Sequence, residues 1–124
     1  MLSGDALTER IIGLAIEVHR SSGPRLLESA YEQCLCFELA HADIPHRRQA
    51  PLTAIYKTMR VETAFRADIL VADEVIVELK AVEQLSPVHR AQLLTYLRMT
   101  GYRVGLLMNF NMLRLKDGLQ RFVV

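Results

Sequence analysis

The chain has 124 residues, a length that suits one domain over 1–124 with a single core. A hydrophobic fraction of 51% beside 23% charged residues excludes a disordered tail or a collagen-like chain, and no apolar run approaches the roughly 18 residues that span a bilayer. The formal charge of +1 gives no overall field toward nucleic acid, but of the 15 basic residues only Lys57, Lys80 and Lys116 are lysine, and the other 12 are arginine, whose planar fork suits phosphate. A local basic patch stays open. The stretch Met1-Leu2-Ser3-Gly4-Asp5 lacks the basic region and apolar run of a signal peptide, so a cytoplasmic protein without membrane attachment is expected. Cys34 and Cys36, two apart on a helix, point away from each other, and neither a disulfide nor a shared metal is expected there.

In chain order, residues 6–20 place Leu7, Ile11, Leu14, Ala15 and Val18 at helical spacing with Glu9, Arg10, Glu17 and Arg20 elsewhere. Ser21-Ser22-Gly23-Pro24 breaks this amphipathic helix. A second helix is expected from about Leu27 to Ala42, on which Glu28, Tyr31, Glu32 and Leu35 share one face. Strands are expected over about 46–56, 59–71 and 75–81, the last two separated by the turn-prone Ala72-Asp73-Glu74. Ser86-Pro87 reads as an N-cap with proline at the first helical position, opening a third helix that ends at Thr100-Gly101. Arg103 to Phe110 suits a strand buried on both faces, and Leu119 to Val124 is the candidate for an edge strand. The main elements therefore follow the order ααβββαβ.

The chemistry concentrates in Val75-Ile76-Val77-Glu78-Leu79-Lys80-Ala81. Strand alternation puts Glu78 and Lys80 on one face, about 7 Å apart, with Val75, Val77 and Leu79 on the other. Charges set among apolar neighbours are costly unless paired or bound to an ion. Asp68 is the natural companion: a three-residue turn over 72–74 pairs Val71 with Val75 and sets Asp68 opposite Glu78, whereas a two-residue turn would invert it. Two facing carboxylates invite a cation, and hard oxygen donors favour Mg2+ or Mn2+ over zinc. An internal Asp–Lys–Glu salt-bridge network would use the same residues without catalysis. Histidines 19, 41, 46 and 89 show no metal-ligand spacing, although His89 stands in the first turn of the third helix, close to Gln92.

Phe65-Arg66-Ala67-Asp68, followed after nine residues by Glu78-Leu79-Lys80, resembles the D…(D/E)-x-K signature of the PD-(D/E)XK nucleases. Leu27-Glu28-Ser29-Ala30-Tyr31, Ile76 to Ala81 and Gln92-Leu93-Leu94-Thr95-Tyr96-Leu97 are similar to the GxxExxY proteins, small bacterial members of that superfamily. The resemblance covers about Leu7 to Arg121. It implies an α/β restriction-endonuclease-like core, a central mixed sheet flanked by helices, and a Mg2+- or Mn2+-dependent nuclease acting on nucleic acid. It also implies roles. Asp68 and Glu78 would hold the metal with the Leu79 backbone carbonyl; Lys80 would be the catalytic lysine. Glu28 would be the acidic residue of the helix before the sheet and a further ligand, and Gln92 with Tyr96 the helical motif bordering the site. Glu28 and Gln92 would join the catalytic set, and Tyr96, Tyr31 and Arg25 would contact substrate. Arg25 stands where the group has its first glycine, so it either shifts the loop or adds a phosphate-binding charge.

An intact acidic cluster favours an enzyme, and the alternative is a catalytically silent nuclease-fold module that binds or regulates through a protein partner. The apolar fraction is high for so short a chain, so a homodimer is expected, and the sequence does not choose between the first helix and Leu119 to Val124 as its surface.

Overall fold

A computed structural model describes residues 4–124 of the chain. Helices α1 (Gly4–Ser22) and α2 (Glu28–His41) come first, then strands β1 (His46–Tyr56), β2 (Met59–Val71) and β3 (Val75–Lys80). Helix α3 (Pro87–Thr100), strand β4 (Val104–Asn109), a 3₁₀ turn (Leu115–Gly118) and strand β5 (Leu119–Val123) complete the chain. The five strands form one sheet in sequence order, antiparallel except for β3 with β4. A parallel pair needs a crossover, and α3 supplies it. The expected α/β order with a mixed sheet is therefore present, and the C-terminal segment is its edge strand.

Helices cover both faces of the sheet. On one face Leu7, Ile11, Ala15 and Val18 of α1, with Tyr31, Leu35 and Leu39 of α2, pack on Ile69, Val71, Val75, Val77, Leu79, Leu106 and Met108. On the other, Leu93 and Leu97 of α3 pack on Leu70, Ile76 and Leu107, joined by Ala50, Leu52 and Ala67. Each fully buried aliphatic side chain contributes roughly 1.5–3 kcal/mol, so these two layers hold β3 rigidly between them. The apolar stripe of α1 is spent on this core, which corrects the expectation that it helps form a dimer surface.

Local chemistry sets the ends of the elements. Ala72 (φ 52°) and Asp73 (φ 53°) adopt left-handed backbone, and the Glu74 N–H donates to the Val71 carbonyl at 2.9 Å. This three-residue turn pairs Val71 with Val75. Pro87 opens α3, where the Ser86 N–H donates to His89 Nδ1 at 3.1 Å, and Gly101 (φ 87°) closes it. His89 thereby serves as a cap. Gly118 lets the last turn rest on the end of β4, since a Cβ there would stand 2.6 Å from the Asn109 carbonyl oxygen.

Candidate active site

The site forms where β2 and β3 part. Their pairing runs Val71–Val75, Leu70–Ile76, Ile69–Val77, and its continuation sets Asp68 opposite Glu78. There side chains replace the ladder. The Asp68 N–H donates to Glu78 Oε2 at 2.8 Å, and the Leu79 N–H donates to Asp68 Oδ2 at 2.9 Å. Because the N–H and C=O of one strand residue point to the same side, the Leu79 carbonyl is directed toward this parting. Beyond it, the segment after Lys80 is clamped by the buried Asn109, whose amide accepts the Val82 N–H at 3.1 Å and donates to the Val82 carbonyl at 2.8 Å.

Two acidic residues reach this end of the sheet from α2, by different routes. Glu28 is exposed, and its Oε2 accepts the Ala81 N–H at 3.2 Å, one residue past Lys80. Glu32, one turn later, is only 4% exposed and accepts from Arg48 Nε at 2.6 Å and from the Gln49 amide at 3.0 Å on both oxygens. That same amide lies 3.4 Å from Asp68 Oδ1. Gln49 links the helix carboxylate to the sheet carboxylate because its backbone turns left-handed (φ 51°) inside β1, a strain of roughly 1–2 kcal/mol for a residue with a side chain.

Electrostatics follow from crowding and burial. Burial first, and then the Asp68 charge, push the Glu78 carboxyl up to about 8 from its ordinary 4.5, while Lys80 pulls the other way. Asp68 is also raised, chiefly by burial; the Leu79 N–H and Lys80 oppose this, and Glu32 adds to it. Without a cation, then, the pair keeps a proton near neutral pH. The Tyr96 hydroxyl is raised by burial and by the charges of Glu78 and Asp68, so it remains a donor beside them. Its ring stacks on Phe65, with centroids 3.9 Å apart and planes at 7°.

The remaining expectations divide. Gln92 is exposed on α3 one turn before Tyr96 and makes no hydrogen bond to the cluster. Tyr31 is fully buried, stacked 4.5 Å from Phe110, donating to the Gly23 carbonyl at 2.6 Å and accepting from the Leu26 N–H at 3.1 Å. It therefore fixes the loop between α1 and α2 and does not reach a substrate, a correction to the expected contact. Arg25 lies in that loop at φ 80°, the left-handed region that favours glycine. The loop has kept the glycine conformation with an exposed arginine in it. Cys34 and Cys36 are free thiols.

Among the described residues no group of three or more His, Cys, Asp or Glu is placed to hold a metal ion. Glu28 keeps its second carboxylate oxygen free of the Ala81 backbone, just as Asp68 and Glu78 each accept one backbone N–H. Asp68, Glu78 and the Leu79 carbonyl form a hard, incomplete donor set that suits an ion retaining several of its waters, with a buried, mutually repelling pair to relieve. An all-oxygen donor set of this kind accommodates a hard divalent ion. A cavity of about 750 Å³ opens beside the turn that joins β2 to β3, lined by Ile44, Leu70, Ala72 and Asp73, and includes none of these residues.

No helix among the described residues is long and apolar enough to cross a membrane. Comparison with curated proteins and with solved structures returns no significant match. A family model described as the PD-(D/E)XK nuclease superfamily matches residues 5–122, nearly the whole chain; it speaks for the superfamily and not for the GxxExxY group within it. Its members are generally nucleases and typically use divalent metals. With the sheet order, the parting of β2 from β3 and the Asp68, Glu78 and Lys80 cluster in place, the chain belongs to the PD-(D/E)XK nuclease superfamily.

Proposed function

We propose that the protein is a metal-dependent nuclease, one cytoplasmic domain that hydrolyses phosphodiester bonds of nucleic acid. The observation that carries the reading is the exchange of hydrogen bonds across β2 and β3, which faces Asp68 against Glu78 beside Lys80. Asp68, Glu78 and the Leu79 carbonyl would hold Mg2+ or Mn2+. Such an ion would supply positive charge to the phosphate and make water a better nucleophile at neutral pH. Lys80 orients the attacking water and stabilises negative charge as it grows on the phosphoryl oxygens. A bond forms from water oxygen to phosphorus as the ester P–O bond breaks; the water's proton leaves to solvent and the departing oxygen takes one up. Tyr96, protonated at neutral pH, donates to a phosphate oxygen, and Gln92 borders the same approach from α3.

Labelled single-stranded, duplex and RNA substrates incubated with Mg2+ or Mn2+ test this. Cleavage by the wild type, with loss in Glu78→Ala, is the expected outcome; cleavage that persists in Glu78→Ala would remove the site from the reaction. One observation favours a second reading, a silent module acting through a protein partner: Asp68 and Glu78 each already satisfy one oxygen on the backbone. That reading predicts no cleavage under any of these conditions.

The proposal includes a homodimer. β5 is an edge strand whose Val123 is 60% exposed, and two-fold pairing of such edges would cover both. Light scattering across a concentration series should give twice the mass of one chain, and a fixed single-chain mass would refute it.

A further inference from the structure

A cavity of about 450 Å³ lies between the last turn of α1 and the segment that follows β4. Arg20, Arg114 and Lys116 line it with His19, and Ile16 and Leu115 form its apolar wall. No carboxylate lines it. The ion pairs among the described residues, Arg48–Glu32 and Arg60–Glu62, involve none of these cations, and no hydrogen bond within the described residues engages their side chains. Three like charges around one hollow repel unless an anion joins them. His19 is buried and its Nε2–H donates to the Met112 carbonyl at 2.7 Å, fixing one wall to the other. At the rim Leu113 is 91% exposed, an apolar surface standing among cations.

Both walls are tied to the candidate active site. Asn109 pairs with Lys80 at the ends of the parallel strands, and the Phe110 N–H donates to the Lys80 carbonyl at 2.8 Å, so the segment from 111 to 116 leaves from beside the lysine. Opposite, Gly23 lines the cavity and its carbonyl accepts the hydroxyl of Tyr31, which follows Glu28 on α2. The hollow therefore lies past the carboxyl end of β4, whose last residue pairs with Lys80.

We propose that this cavity is a phosphate-binding subsite that grips the backbone of a nucleic-acid strand while a neighbouring phosphodiester occupies the acidic cluster. The inference rests on the nuclease reading above. It also answers the weak net charge: the field that attracts the strand is local. Leu113 meets the apolar face of a base while the cations meet phosphate oxygens.

The test is equilibrium binding of fluorescein-labelled single strands and duplexes by anisotropy, in EDTA to prevent cleavage, across a salt series. Arg114→Glu and Lys116→Glu should each weaken strand binding about tenfold or more and flatten the logarithmic salt dependence by about 0.7–0.9 per lost contact. Arg98→Glu makes the same charge change on α3, across the sheet, and should bind like wild type. Circular dichroism confirms folding, and Lys116→Glu stands alone if Arg114→Glu does not fold. Unchanged binding in both variants, equal weakening by Arg98→Glu, or no strand binding by wild type would overturn the proposal. So would a mononucleotide that competes as well as the strand, which would make free nucleotide the ligand. Charge-specific strand binding by a protein that does not cleave would leave the subsite and remove the nuclease reading; cleavage with unaltered variant binding would do the reverse.

Discussion

Replacing Lys80 with alanine is expected to slow hydrolysis at saturating substrate by about 10²–10⁴-fold, the usual contribution of a positioned catalytic group. Lys80 stands two residues past Glu78 on β3, half-buried, and its charge lowers the pKa of both Asp68 and Glu78. It therefore sits within electrostatic reach of whatever those carboxylates hold. Its removal takes a positive charge from the phosphate in the transition state, where that charge matters most. The carboxylates that bind the ion remain, and they lose a competing cation. Ion affinity should stay the same or rise. Single-turnover cleavage beside a calorimetric titration with Mn2+ separates the two effects, and a wild-type rate or a loss of ion binding would count against the assigned role.

The metal-free protein should lose stability as pH rises from about 5 to 8, by on the order of a few kcal/mol. Folded Glu78 holds its proton up to about pH 8, whereas the unfolded side chain releases it near 4.5. Between those values the folded state binds more protons, so stability is highest at the acidic side and declines as pH rises through the window. Asp68 shifts in the same direction. The two titrate as a pair, so the whole slope belongs to the cluster. Urea unfolding at a series of pH values in EDTA should show the decline, and Glu78→Gln should flatten it. Saturating Mg2+ should flatten it as well, because ion binding to the native state favours the ionised pair and adds stability by mass action. A wild-type profile that matches Glu78→Gln would mean that the carboxylate is not strained as described.

The parts of the site that follow from strand period were legible in the sequence. Glu78 and Lys80 share a face because they are two apart, and the length of the turn over 72–74 alone decides which way Asp68 points. Ser86-Pro87 and Gly101 bound α3 through local backbone chemistry, and the structure keeps both. What stayed hidden depends on how elements sit against one another. Glu28 and Glu32 lie on one helical face, and only the height of α2 over the sheet makes Glu32 the buried partner. Gln49 reaches Asp68 through a left-handed residue inside a strand, which no propensity foretells. Tyr31 carried a motif letter but is a packing residue, because its hydroxyl closes the loop after α1. The clamp from Asn109 to Val82 joins positions that only the parallel pairing of β3 and β4 brings together.

Asp68 and Glu78 are proposed to hold the ion that serves hydrolysis. Anomalous diffraction from crystals grown with Mn2+ reads this directly. One strong peak bound by both carboxylates and the Leu79 carbonyl, lost in Glu78→Gln, is the expected result. A map without density between those side chains, or with its peak elsewhere on the protein, would contradict it.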